Sequence, residues 1–291
     1  MAKDQRRTAN LFISGFIILF SLFCFLPMLL SLIISFTGES EIMRNGYSFF
    51  PKEVSLNAYR VLFSGKASFL MSYGITILVT GAGTLAAVLI TSCAAFALAN
   101  KSVYYRGALS VFFFIPMVFG TGMVPWYMIC KQIGLYNNLL ALIVPSLMFS
   151  TFNLFLVRNY MSGIPESLRE AAMIEGANDV TIFRAIYLPL SGPVIATVVL
   201  FYGLAYWNDW WNAIMLVDDQ SLYPIQYLML KIKSETNMAN QMSGILGSQA
   251  IAPTESLKMA TCMVTIGPIV LLYPFLQKYF VKGLIVGSVK G

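Results

Sequence analysis

Apolar residues fall in long, nearly unbroken runs separated by short polar connections. Six runs stand out: Leu11–Phe36, Phe69–Ala99, Ala108–Cys130, Leu139–Val157, Gly192–Val217 and Met259–Phe280. At 1.5 Å per residue the first is about 39 Å long, more than a hydrocarbon core of about 30 Å. Barrel strands would be shorter and would alternate polar with apolar positions, so the runs predict helices. The expected fold is an all-α integral membrane protein of six transmembrane helices, a single transmembrane domain over 1–291 without internal repeats. Lys3, Arg6 and Arg7 precede the first run, which is longer than a secretory signal core and lacks a small-residue cleavage site. It reads as a retained first helix, with Pro27 as a candidate kink.

Composition agrees. Of the 291 residues 58% are hydrophobic and only 11% charged, with a mean hydropathy of +0.73; a soluble domain carries about a quarter charged residues. The positive charges set an orientation. Lys3, Arg6, Arg7, Lys101, Arg106, Arg158, Arg169, Arg184, Lys278, Lys282 and Lys290 would share one side, eleven of the 19 basic residues. Both termini and the connection 158–190 are therefore expected in the cytoplasm. The opposite side has two long connections, Thr37–Ser68 and Asp218–Lys258, which read as disordered covers or as a docking surface for a soluble partner.

The connection 158–190 is the most polar island in the chain. Pro165 suits a helix start, Glu166 complements its dipole, and Gly176 can supply the positive backbone angle that ends it. Asn178 reads as the cap of a second short helix through Tyr187, stopped or bent by Pro189. The product is an elbow of two short helices, with Leu168, Ala171, Ala172 and Glu175 forming a small-residue face. Chemistry alone leaves two readings open: a knob that docks into another protein, or an amphipathic elbow lying on the membrane surface.

The elbow's spacing resembles a known signature. Glu170, Ala171 and Ala172 are followed after three residues by Gly176, after nine more by Ile186, then by Leu188 and Pro189. This is similar, without departure, to the signature loop of permease subunits of type I ABC importers. The likeness extends along the chain: Trp207-Asn208 and Trp211-Asn212, Val281-Lys282-Gly283-Leu284 and the closing Val289-Lys290-Gly291 resemble the carbohydrate-uptake branch, in particular the smaller permease of maltose-type and complex-oligosaccharide importers. The resemblance implies a bacterial cell-membrane subunit whose elbow, the coupling helix, sits in a cleft of an ATP-hydrolysing subunit. It implies a second homologous permease, two ATP-binding subunits that use ATP and Mg, an extracytoplasmic sugar-binding protein and an oligosaccharide substrate. It also implies that the carboxyl tail, with Lys282, Gly283 and Lys290, reaches the ATPase subunits.

Other chemistry is sparse. There is no histidine, and Cys24, Cys93, Cys130 and Cys262 are scattered in apolar runs, a poor pattern for a metal cluster. No Gly-x-x-x-x-Gly-Lys-Ser/Thr loop occurs, so the chain is expected to bind no nucleotide itself and not to be an enzyme. Asp209 is the only carboxylate within a predicted span, which weakens the rival readings of a membrane enzyme or a proton-coupled secondary carrier. A channel or scaffold subunit without ATP coupling is the remaining alternative. On the fifth span Trp210 and Trp211 fall where an interfacial aromatic belt sits. Tyr202, Tyr206 and Asp209 share a deeper face and are expected to line the translocation pathway or the partner interface.

Overall fold

The computed structural model describes residues 2–268 except 65, 146 and 247–254, together with residue 270. Their regular structure is helical, joined by turns and loops, and the one extended pairing among them bridges Thr37 and Val54. The chain packs into two compact units.

The first unit joins residues 1–66 to 229–268. Helix α1 (Ala2–Ser35) contains the predicted first span: Ile13–Ser35 has a mean hydropathy of 2.8, and almost none of it is buried within the chain. Such all-round apolarity suits lipid or another subunit. Pro27 lies inside α1, which continues unbroken past it.

The stretch after α1 is folded, not a loose cover. Helix α2 (Glu39–Asn45) and helix α3 (Asn57–Phe63) flank a loop pinned by Glu41, whose carboxylate accepts from Lys52 N at 2.7 Å and from Glu53 N. Glu39 reaches 216 residues along the chain. Its carboxylate accepts from Glu255 N (2.9 Å), Ser256 N (3.0 Å) and Ser256 Oγ (2.8 Å), capping the helix at 255–268. Glu255 in turn accepts from Lys258 Nζ (2.6 Å) and from Tyr47 Oη (2.7 Å), and these two bonds hold its carboxyl below the usual carboxylate range. A group whose pKa falls on folding stabilises the fold above its unfolded pKa and loses that contribution as pH drops through its folded pKa. Glu39→Ala is expected to cost about 1 kcal/mol, as the loss of a helix cap does, and thermal unfolding in detergent checks it. Glu255→Gln tests the pH-dependent part: its deficit against the wild type should shrink as pH falls through the lowered Glu255 pKa.

The described residues of the second unit are Ala67–Leu228 except 146, together with Val270. Its longest element is α4 (Lys66–Ala99), whose Ser68–Ala99 stretch is the second helix long and apolar enough to cross a membrane unbroken. One face of α4 is mostly small or polar and buried, with Thr76, Val79, Gly83, Ala87, Thr91, Ala95 and Leu98 at three- and four-residue spacing. Small residues let helices approach closely, as membrane interfaces require.

The third, fourth and fifth predicted spans are each interrupted. In place of Ala108–Cys130 stand α5 (Arg106–Val118) and α6 (Met123–Gln132), bent by 117° at a short break. Gly122 closes that break at φ +77°, a conformation side-chain-bearing residues rarely adopt. In place of Leu139–Val157 stand α7 (Leu140–Ile143) and α8 (Thr151–Met161), separated around Pro145, with Ser150 capping α8. Proline has no amide to continue a helix through that gap.

In place of Gly192–Val217 stand α12 (Gly192–Trp207) and α13 (Trp211–Leu216). Asp209 sits in that break and accepts from Trp211 N (3.1 Å) and Asn212 N (3.3 Å), the first amides of α13. Counting each bent pair as one crossing, the described residues contain up to four membrane-spanning helices. The sixth predicted span begins as the helix at 255–268, and its remainder lies outside the described residues.

Broken backbone at membrane depth needs partners from the protein, and α12–α13 supply them to the 143–150 segment. Tyr206 Oη donates to Ile143 O (2.7 Å), Asn212 Nδ2 donates to Pro145 O (3.0 Å), and Ser150 N donates to Tyr202 Oη (3.0 Å). Helix α14 (Ile225–Leu246) fills much of the second long connection, and its first amide is taken by Thr76 Oγ1 at 2.8 Å.

Candidate functional site

Between α8 and α12 the chain turns through a series of short helical segments, called the elbow below. Pro165 is the extended residue before α9 (Glu166–Ile174), which begins with Glu166 at its positive end. Gly176, at φ +83°, ends it. Two bonds close this end: Gly176 N to Met173 O (3.0 Å) and Ala177 N to Ala172 O (2.9 Å), the paired pattern of a glycine-terminated helix. Asn178 Oδ1 accepts from Thr181 N (2.8 Å) and caps α10 (Asp179–Ile182).

A wide turn at Phe183–Tyr187 follows, closed by Leu188 N on Phe183 O, and leads to α11 (Leu188–Leu190). Pro189, lacking an amide, falls just past the wide turn, consistent with the local loosening of the helix. The Asp179–Leu190 segment meets α12 at 83°, so the bend lies at Ser191, two residues beyond Pro189.

The signature residues divide by orientation. Glu170, Ala171, Gly176 and Pro189 are exposed, whereas Ala172 and Ile186 pack partly against the core and Leu188 is half-buried. Ala172 thus belongs to the inner face of α9, not to its exposed small-residue face. A feature the sequence reading missed is apolar: Ile174 is 88% and Val180 65% exposed, beside exposed Leu168 and Met173. Large aliphatic side chains left in the open on an otherwise polar segment favour a partner surface.

Arg169 was missed as well, since its arginine counted only as positive charge. It is 8% exposed, and its Nη2 donates to Asp179 Oδ1 and to Ser102 Oγ, both at 3.3 Å. Beside it Lys101 Nζ meets Glu166 Oε2 at 2.7 Å, and this bond holds the Glu166 carboxyl below its ordinary range.

On α12, Tyr202 and Tyr206 are 2% and 1% exposed. Tyr202 Oη also meets Thr91 Oγ1 of α4 at 2.7 Å. The Tyr206 ring lies on Gly83, where a Cβ would come within 2.5 Å of Cζ. Tyr202 also lines an open groove of about 450 Å³ with Phe152, Asn153, Phe201 and Leu204. Tyr206 and Asp209 are not among its lining residues: the first sits behind it in the core, and the second caps α13. The predicted tail contacts Lys282, Gly283 and Lys290 lie outside the described residues.

No protein-family model matches the chain. Individual relatives do. It is 37% identical over 288 residues to the polygalacturonan/rhamnogalacturonan transport system permease protein YtcP of Bacillus subtilis, a match covering 99% of this chain and 100% of that one. The chain belongs to the permease subunits of sugar ABC importers. The permease is also 28% identical over 274 residues to the arabinooligosaccharides transport system permease protein AraQ of Halalkalibacterium halodurans, covering 91% of each. Among solved structures it matches a chain of a bacterial ABC transporter involved in the import of the acidic polysaccharide alginate. That match has a TM-score of 0.81 and 26% identity, covering 94% of the permease and 97% of its counterpart.

Proposed function

We propose that the permease conducts oligosaccharides built from acidic sugars into the cell, and that its elbow transmits the work of ATP hydrolysis. The observation that carries this reading is the elbow's exposed apolar side chains, Ile174 and Val180, on either side of the Gly176 turn. The full signature supports it, with Glu170, Ala171, Gly176 and Pro189 exposed and Ala172, Ile186 and Leu188 partly buried. In this reading the elbow and both termini are cytoplasmic. The chain is one continuous functional domain over 1–291, six times membrane-crossing once its broken segments are paired with a second permease.

Two ATPase subunits bind and hydrolyse ATP with Mg; the permease itself is not catalytic and carries no cofactor. An extracytoplasmic sugar-binding protein delivers substrate, and Lys282, Gly283 and Lys290 reach the ATPase subunits. Of the three candidates in and just past α12, Tyr202 faces the pathway or the partner through the groove it shares with Phe152, Phe201 and Asn153. Tyr206 and Asp209 act behind it, by holding that wall. Aromatic faces and amide groups suit the C–H faces and hydroxyls of sugars. The acidic class is favoured by what two relatives are named for, polygalacturonan/rhamnogalacturonan and alginate.

The test is uptake of labelled oligogalacturonides, oligoalginates and neutral arabino-oligosaccharides by cells with and without the gene. Loss of uptake of an acidic oligomer on deletion, restored by the wild-type chain, is expected. Unchanged uptake of both acidic classes would remove the acidic assignment. The isolated permease, stripped of ATPase subunits, is expected to show no ATP hydrolysis above buffer.

A further inference from the structure

We propose that the end of α4 and the elbow move as one body during transport, with Arg169 as the positioning residue that joins them. The proposal rests on the reading of the elbow as the ATPase dock and adds a route by which its displacement reaches the membrane. The obvious route is through α8 and α12, which flank the elbow in sequence. A second route is built from side chains.

Lys101, just past the end of α4, bonds Glu166 in the first turn of α9 at 2.7 Å. Ser102 is fixed by Asn100, whose Oδ1 accepts from Ser102 N (2.9 Å) and Ser102 Oγ (2.8 Å). The buried Arg169 guanidinium then donates to Ser102 Oγ and to Asp179, so one side chain ties α4, α9 and α10 together. Phe96 on the last turns of α4 completes the joint, its ring 5.3 Å from Phe183 and 4.9 Å from Tyr187, both on the far arm of the elbow.

Each arm of the elbow therefore has its own attachment to α4. Two polar bonds and an aromatic cluster on different faces resist both sliding and rotation, which no single contact would. Further back along α4 are Thr91, bonded to Tyr202, and, near the middle of the helix, Gly83, on which Tyr206 lies. A push on the elbow would thus be delivered to the same α12 wall from two sides. Arg169 is buried, and pulling its Nη2 away from Ser102 and Asp179 in each cycle would be costly, because the buried charge would lose those two bonds. This favours movement as a unit.

The test uses the complete transporter, with Cys24, Cys93, Cys130 and Cys262 replaced. Spin labels at Tyr104 and Ser167, exposed positions beside the joint, leave its bonded residues intact. The label-to-label distance is measured without nucleotide and after trapping with ATP and vanadate. An unchanged distance distribution is expected; a shift on trapping overturns the single-body claim.

In Arg169→Gln the distribution should broaden or shift on trapping, with ATP consumed per sugar imported rising several-fold, and Arg169→Lys should recover part of both. If Arg169→Gln leaves distance and stoichiometry unchanged, Arg169 is not the joint. Where Arg169→Gln does not assemble, the unsubstituted measurement still decides the single-body claim, and Lys101→Gln takes its place in the second comparison. Failure of the underlying reading looks different: no ATPase subunit would then accompany the unsubstituted permease at all.

Discussion

Gly176→Val will lower sugar uptake about tenfold while leaving the permease inserted in the membrane. Gly176 ends α9 at φ +83°, and an added Cβ there would meet nothing within 4 Å. Crowding is therefore not the penalty. The penalty is conformational, because an L side chain in the left-handed region costs about 1–2 kcal/mol and a β-branched one more. The turn would relax, Ala177 N and Gly176 N would lose Ala172 O and Met173 O, and Ile174 and Val180 would no longer present one surface. A change of about 1.4 kcal/mol is tenfold in an equilibrium between docked and undocked elbow. Gly176→Asn supplies the control, since asparagine tolerates positive φ, and it should retain most of the uptake. Equal loss in both variants would point to something other than backbone conformation.

The largest effect on stability is expected at Gly83. A Cβ on this residue would lie 2.5 Å from Cζ, 2.6 Å from Cε1 and 2.8 Å from Cε2 of Tyr206. The ring cannot step aside freely, because its hydroxyl donates to Ile143 O in the broken segment between α7 and α8. Gly83→Ala must either push α4 from α12 or break that bond. Overpacking of this kind costs about 1–3 kcal/mol, and a buried carbonyl stripped of its donor adds to it. A lowered melting temperature of the detergent-purified permease should report it. Adding Tyr206→Leu should cost less in the Gly83→Ala background than in the wild type, because the two side chains share one space.

Parts of this architecture were readable from residue order, and the reason is local. The Ile13–Ser35 and Ser68–Ala99 helices follow from uninterrupted apolarity, and the elbow follows from Pro165, Gly176 and Asn178, whose backbone preferences act within a few residues. The interruptions at Gly122, Pro145 and Asp209 were not readable as breaks, because apolar content averaged over a run does not register where a helix stops. What makes those breaks tolerable is nonlocal: Tyr202, Tyr206 and Asn212 satisfy backbone groups more than 50 residues away. The same distance hid the role of Arg169. Its neighbours in sequence suggest a surface charge, and only the approach of Ser102 and Asp179 buries it. Tyr202, Tyr206 and Asp209, read from the sequence as one face, stand apart in the fold: Tyr202 lines the groove, Tyr206 sits in the core and Asp209 lies in the break past α12.

The most direct measurement is the composition of the complex that the permease forms. The tagged chain is purified from its native membrane in mild detergent, and its companions are identified and quantified by mass spectrometry. A subunit bearing a phosphate-binding loop, equal in amount to the sum of two different permeases, is the expected result, with that subunit lost from Gly176→Val preparations. A wild-type permease that purifies without any ATPase, and still carries sugar into vesicles free of ATP, would contradict the account.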